Sequence, residues 1–455
     1  VECLSVGRAI SLPSTATGGS KAAVAATGAY ARIRKQFGLA IGRFEGVEEA
    51  LARIGGYTYA TTALSRATAA AVDRGERPAV PSAIAKYHAT EWCREIARDA
   101  MDVHGGKGVI LGPGNYLGRA WQGVPIMITV EGANIMTRSL MIFGQGAIRC
   151  HPYVLKEMQA AALADPDERL EAFDDVLFKH IGFGLSNGVR SLILGLTHAS
   201  IGRVPGDAYT RRFYRKLNRY SAILALMADT SMLVLGGKLK FKEKISARLG
   251  DVLSYLYIAS AMLKRFEDQG APVSDRPLLA WAFHECIWRM QNAVDGVLRN
   301  FPLRPVAWML RALVFPLGRR DVPPSDRLGR RVAALLTAPN EARARMTEWT
   351  YLTPSANNPI GRMNALLPEV IAAEPVERKF LKAVKAGTVS GLDFEAQIAD
   401  AEAKGVIDSA ERALLEHVRA ASFEFISVDD FDSDELIAAN PRKVASPSLR
   451  AVSNG

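Results

Sequence analysis

Ala, Leu, Ile and Arg recur at helical spacing through nearly all of this 455-residue chain, and alternating β-branched runs between tight turns are scarce. That pattern predicts an all-α protein. In its first part the helical period covers residues 19–35, 44–74, 81–103 and 132–145. Breaks fall at Gly38, at 75–78, at 105–114 and at His151-Pro152. An antiparallel helical bundle is therefore expected over residues 1–152. The glycine-rich stretch 105–118 is long for a bundle connection, and such a length favours a binding role.

Residues 153–427 read as a second helical domain. Its periodic segments are 167–180, 187–196, 220–234, 242–268, 277–300, 327–337, 341–352, 374–386 and 410–421. Asp408 followed by Glu411 has the spacing of a reciprocal helix cap. From residue 428 the chain turns acidic and then rich in Ser, Pro and Asn, so 428–455 is expected to be a disordered tail.

With 49% hydrophobic and 23% charged residues, the composition is that of a soluble globular protein. The net charge of +10 favours acidic partners: nucleic acid, anionic lipid or a phosphorylated ligand. Nucleic acid is the weaker choice, because Arg211 to Arg219 mixes cations and aromatics without a recognised binding fold and reads better as a solvated helix face. Cys3, Cys93, Cys150 and Cys286 form no CxxC pair, and the seven histidines form no HExxH, so no metal site is expected. No uninterrupted apolar run approaches about 18 residues, so a spanning helix is not expected either. The chain opens Val-Glu-Cys-Leu, without a Met or a signal peptide, and is expected to be part of a longer protein.

Glu131 sits in Met-Ile-Thr-Val-Glu-Gly-Ala-Asn, next to Val130 and near Ile128, ahead of a helix. Apolar neighbours make such a carboxylate a candidate proton-abstracting base, whereas the positive end of the helix offers it a purely structural role. Upstream lie Gly7-Arg8, then Arg34-Lys35-Gln36-Phe37-Gly38, then Asp102-Val103-His104-Gly105-Gly106-Lys107-Gly108. Arg34 has the planar fork that grips phosphate in two places, or else it complements a helix end. Gly105 and Gly106 permit positive φ and close approach of a ligand, although a helix C-cap explains one of them.

These four segments, in this order, resemble the C-terminal helical domain of the acyl-coenzyme A dehydrogenases, a family of flavoenzymes. The resemblance covers roughly residues 1–150. It implies that Glu131 removes the α-proton of an acyl thioester, with Arg8 beside it. Some family members carry the base just before that Arg instead; here the position is Gly7. It also implies FAD contacts at Arg34, Gln36 and Phe37 and at Gly105 and Gly106, electron transfer to an electron-transfer flavoprotein, and a homodimer. The chain departs from the family at Ala133, Ile135 and His104. More loosely, residues 153–427, including Gly250 to Tyr257, resemble the helical domain appended to the bacterial long-chain type.

The function expected is therefore oxidation of long-chain acyl-CoA to trans-2-enoyl-CoA in β-oxidation, in the cytoplasm or peripherally on the inner membrane. Residues 303–317 carry Arg304, Trp308 and Arg311 on one helical face, which suits either a membrane interface or a core helix with snorkelling arginines. The competing reading of the whole chain is a truncated, inactive helical protein that binds membrane or oligomerises.

Overall fold

The computed structural model describes residues 2–431, apart from the side chains of 2–5, 145, 148 and 149. The remainder of the tail expected at 428–455 lies outside the described residues. Within its described part, Asp429 accepts a hydrogen bond from the Gly114 amide at 2.8 Å. Nearly everything described is helical, as the periodicity predicts.

The first helices are α1 (Glu2–Ile33), α2 (Glu45–Asp73) and α3 (Ala79–His104). α1 continues through Pro13, which forfeits one backbone bond, so the helix begins well before the periodic signal at residue 19. Between α1 and α2 lies a hairpin, β1 (Lys35–Gln36) with β2 (Leu39–Ala40), where only a helix break is expected. Phe37 and Gly38 turn it with φ of 52° and 76°, a two-residue turn that matches the strand twist.

Next come α4 (Gly106–Val109), α5 (Gly118–Thr129), α6 (Asn134–Met136) and α7 (Ile142–Arg149), with a π-turn at Thr137–Met141 before α7. The continuous helix expected over 132–145 is present from residue 134 to 149, with a π-helical turn in its middle. The glycine-rich loop is braced from within. The Asn115 amide donates to the carbonyls of Lys107, Gly108 and Ile110 and accepts from the amides of Leu117 and Gly118.

Beyond residue 152 follow α8 (Val154–Ala161), α9 (Pro166–Leu196), α10 (Arg211–Leu235), α11 (Glu243–Asp268), α12 (Arg276–Asn300) and α13 (Arg304–Val314). α9 absorbs two expected helices into one, because Gly182 and Gly184 weaken a helix without ending it. Then come α14 (Asp326–Leu336), α15 (Glu341–Thr347), α16 (Pro359–Lys385), α17 (Phe394–Ala403) and α18 (Ser409–Ile426). The capping box at Asp408 and Glu411 is present with both of its bonds.

The chain forms two compact units, Val1–Ala100 with Trp121–Tyr351, and Met101–Ala120 with Leu352–Gly455. In the first, α11, α12 and α14 pack directly on α2, so helices from both sides of residue 152 share a core. Tyr57 of α2 stacks on Trp92 of α3 at 5.2 Å and meets the edge of Trp281 of α12 at 5.4 Å. The Tyr57 hydroxyl bonds to Glu285 at 3.1 Å and accepts from Arg289 at 2.7 Å. Gly56 is what lets the Trp281 ring approach, since a Cβ there would lie 1.9 Å from the indole. The second unit packs α16, α17 and α18 together.

α10 and its 3₁₀ extension to Phe241 form a segment long and apolar enough to cross a membrane. Within the first unit it is tied to its neighbours by polar bonds. Lys216 and Tyr220 bond to Asp321, and Asp229 bonds to His151. α13 divides its faces: Ala307, Leu310 and Val314 are buried while Trp308 and Met309 are exposed. Arg311 is paired with Asp295 at 2.7 Å.

Candidate active site

Glu131 lies in the turn between α5 and α6, within the first unit, and its backbone is left-handed with φ of 56°. A non-glycine residue in that region is strained by about 1 kcal/mol or more. Gly132 follows at φ of 102°, so two consecutive residues turn the chain the unusual way.

Lys86 of α3 holds that turn. It is fully buried, and its ammonium donates to the carbonyls of Ile128 at 3.2 Å and Gly132 at 2.8 Å and to Asn134 Oδ1 at 2.6 Å. All three of its protons are used. Asn134 in turn donates to Thr90 Oγ1 and Glu91 Oε1, both at 2.9 Å, tying the start of α6 back to α3. Burial pushes the Lys86 pKa down to about 8, Glu131 and Glu91 oppose that, and the Arg8 charge adds to it.

The Glu131 carboxylate is asymmetric. Oε1 accepts from Ser11 Oγ of α1 at 2.9 Å, while Oε2 is buried and has no hydrogen-bond partner. An unpaired, water-excluded carboxylate oxygen is the feature a general base requires and a helix cap does not.

Arg8, one turn before Ser11, is only 4% exposed. Its Nη1 reaches the Met141 sulfur at 3.8 Å and its Nε has no partner. Burial lowers the Arg8 pKa, and the charge of Glu131 opposes that. A Cβ on Gly132 would come 3.8 Å from Arg8 Nη1, so the glycine leaves the guanidinium facing bare backbone. A buried, underbonded cation beside a half-free carboxylate is costly unless a polar ligand completes it.

Arg34, Gln36 and Phe37 come together on the hairpin. Phe37 is 93% exposed at its tip, with the ring of Phe44 edge-on to it at 6.4 Å. The Arg34 guanidinium makes no hydrogen bond or ion pair among the described residues, although its charge is felt at the Tyr30 hydroxyl. A presented aromatic ring beside an unbonded guanidinium fits a planar, phosphorylated group, so these residues are compatible with FAD.

Gly105 and Gly106 fall in the second unit and are exposed. Gly105 has φ of 56° and ends α3, its amide bonding to the Met101 carbonyl at 2.9 Å. A Cβ there would meet nothing within 4 Å, so conformation rather than crowding requires the glycine.

Among the departures, His104 is buried with its ring edge against Tyr116, and Ile135 is exposed. Arg138, inside the π-turn, is held by both carboxylate oxygens of Asp251 on α11, at 2.8 and 2.5 Å.

Sequence reasoning missed Lys86 and Ser11. A signal for Lys86 was present: Ser82, Lys86, Thr90 and Cys93 form a polar and small-residue column on the α3 face that is otherwise apolar. Ser11 carried no signal, because its partner lies 120 residues away.

A histidine cluster that no short motif announces joins α8, α9 and α10. His151 Nε2 bonds to Asp229 at 2.7 Å, and His180 bonds to Glu157 at 2.7 Å and to Asp229 at 3.2 Å. The ligand atoms of His151, His180 and Asp229 lie close enough together to hold a cation. However, His151 Nδ1 accepts two backbone N–H groups, from Tyr153 and Val154, which assigns the ring proton to Nε2. That proton occupies the lone pair a metal would need. The group is better described as a hydrogen-bonded charge network.

Residues 148–431 match the family model for the acyl-CoA dehydrogenase C-terminal domain of bacterial type, and residues 1–143 match that for the acyl-CoA dehydrogenase C-terminal domain. The chain belongs to the acyl-CoA dehydrogenase family.

It is 33% identical over 135 residues to a 3-(aryl)acrylate reductase of Clostridium sporogenes, a match covering 30% of this chain and 35% of that protein. It is 31% identical over 110 residues to the caffeyl-CoA reductase-Etf complex subunit CarC of Acetobacterium woodii, covering 24% of this chain and 29% of that one. The matches thus span about a third of each of these relatives. The fold is similar to that of an acyl-CoA dehydrogenase from Bacillus anthracis complexed with FAD, with a TM-score of 0.56 and 18% identity, over 73% of this chain and 55% of the other.

Proposed function

We propose that this chain is the C-terminal portion of an FAD-dependent enzyme that oxidises long-chain acyl-CoA to trans-2-enoyl-CoA. The observation that carries the reading is the unbonded Oε2 of Glu131, on a strained turn pinned by Lys86 and next to the underbonded Arg8. Glu131 takes the α-proton of the thioester onto its carboxylate. Ser11 keeps the other oxygen oriented, and Arg8 supplies positive charge where the carboxylate and thioester meet. The electron pair of the broken Cα–H bond forms the new double bond as the β-hydrogen leaves with its own pair. When bound, FAD supplies the acceptor for that hydride. Arg34, Gln36 and Phe37, and separately Gly105 and Gly106, are the proposed FAD contacts. The long-chain preference rests on the appended bacterial-type region, and an electron-transfer flavoprotein as partner is consistent with the Etf complex named for one relative.

The two relatives are named reductases, which favours the reverse direction as a second reading. Glu131 would then return a proton to Cα. Both readings are tested on the flavin-loaded protein, by bleaching of flavin absorbance with a long-chain acyl-CoA or its recovery with an aryl acryloyl thioester. Glu131→Gln should slow either reaction by on the order of 10²- to 10⁴-fold while flavin stays bound. Retention of most of the turnover would refute the assignment.

A further inference from the structure

We infer that the groove between α7, α10 and α11 is a binding site for a long-chain fatty acid, taken as the free carboxylate and separate from the site at Glu131. The three helices enclose a cavity of about 710 Å³ within the first unit, a size in the range of small-molecule sites. The space exists because small residues stand where these helices would otherwise interlock: Gly146 and Ala147 on α7, Ser221, Ala225 and Ala228 on α10, and Ser260 on α11. Phe143, Phe183, Leu217, Leu224, Leu253 and Leu256 make the walls apolar.

The cavity is long, and its free charge is at one end. Its wall on α10 follows a single helical face from Tyr214 to Ala228, a run of roughly 21 Å. At the Tyr214 end stands Arg203, from the loop joining α9 and α10, which makes no hydrogen bond or ion pair among the described residues. Arg190 reaches the same end by donating to Asn218 Oδ1 at 2.6 Å, and it too has no carboxylate partner among the described residues. Glu267, an acid at that end, accepts from the Tyr214 hydroxyl at 2.9 Å. At the opposite end both ring nitrogens of His151 are engaged, by Asp229 and by the backbone amides of Tyr153 and Val154, so that ring offers nothing to a ligand.

A long apolar trough with an unbonded guanidinium at one end matches a single alkyl chain that ends in an anion, and the planar fork of an arginine grips a carboxylate in two places. The walls include none of Arg8, Ser11, Lys86 and Glu131, and no residue of α1 or α3. A free acid also lacks the thioester that makes an α-proton acidic, so it binds in this groove without reacting.

The test is calorimetric titration of the full chain with laurate below its micellar concentration, and with dodecyltrimethylammonium, which carries the same alkyl chain under a cationic head. Laurate should bind the wild type about tenfold more tightly than the cationic amphiphile, or better. Arg203→Glu, at an exposed position, should raise the laurate Kd by about tenfold or more. Ala225→Phe fills the trough and should abolish binding, with circular dichroism confirming that the helices remain. Glu131→Gln should bind laurate as the wild type does. Absence of laurate binding to the wild type would overturn the proposal, as would an affinity left unchanged by Arg203→Glu. Loss of laurate binding in Glu131→Gln would assign the ligand to the catalytic turn instead. Pelleting with phosphatidylglycerol vesicles that Ala225→Phe removes, without any binding of monomeric laurate, would assign the groove to membrane lipid.

Discussion

Lys86 is the residue on which the geometry of Glu131 depends. Three acceptors within residues 128–134 converge on its ammonium, and the strained φ of Glu131 is maintained inside that loop. Removing the ammonium strands buried acceptors, each worth about 1 kcal/mol or more. Lys86→Met, which keeps the apolar stem, should cost on the order of 3 kcal/mol in urea unfolding. It should also lower turnover at Glu131 with flavin still bound. A variant as stable as the wild type would show that the turn is held by other means. The role of Glu131 as a candidate base was legible from its neighbours and from the segments upstream. How its carboxylate is oriented and its turn pinned was not, because Ser11 and Lys86 reach that segment only through the packing of α1, α3 and the α5–α6 turn.

At the scale of elements, the histidine network makes the junction of α8, α9 and α10 sensitive to pH. Burial disfavours the charge on His180, but its bonds to Glu157 and Asp229 outweigh that and raise its pKa above 6.5. His151 and Tyr153 are its other neighbours, at 4.8 and 5.4 Å between ring centroids. A raised folded-state pKa means that the stabilisation is fully present below the unfolded value of about 6.5 and is lost as pH rises through the folded value. The stability difference between wild type and His180→Gln should therefore shrink from pH 6 to pH 9 in urea titrations. A difference that stays constant would show that the charge does not contribute. Helices α2, α3, α11 and α12 follow their sequence periods closely, because each buries an apolar face long enough to define the period. The hairpin at 35–40 and the π-turn at 137–141 escaped the reading, being shorter than one helical period can reveal.

For the molecule as a whole, the decisive packing lies where the two halves of the sequence share one core. Gly56 of α2 accepts the Trp281 ring of α12, and Gly28 of α1 would bring a Cβ to 2.2 Å from the Leu336 carbonyl of α14. Gly56→Ala should destabilise the first unit by about 3 kcal/mol and change the near-ultraviolet circular dichroism of its tryptophans. Wild-type stability would mean that the ring moves aside freely. This sharing explains why the family matches meet between residues 143 and 148 while the compact units divide elsewhere. A sequence boundary follows ancestry and composition, whereas a compact unit follows contacts.

The sequence by itself determined the helical class and the course of α2, α3, α11 and α12, and it offered candidate residues for the chemistry, because period and residue type are local properties. Only the tertiary structure decided which oxygen of Glu131 is free, that Arg8 is buried without an adequate partner, and that Arg138 is held by Asp251. Those are matters of burial and of pairing across 113 to 133 residues, and separations of that size are set by how helices pack rather than by any pattern along the chain.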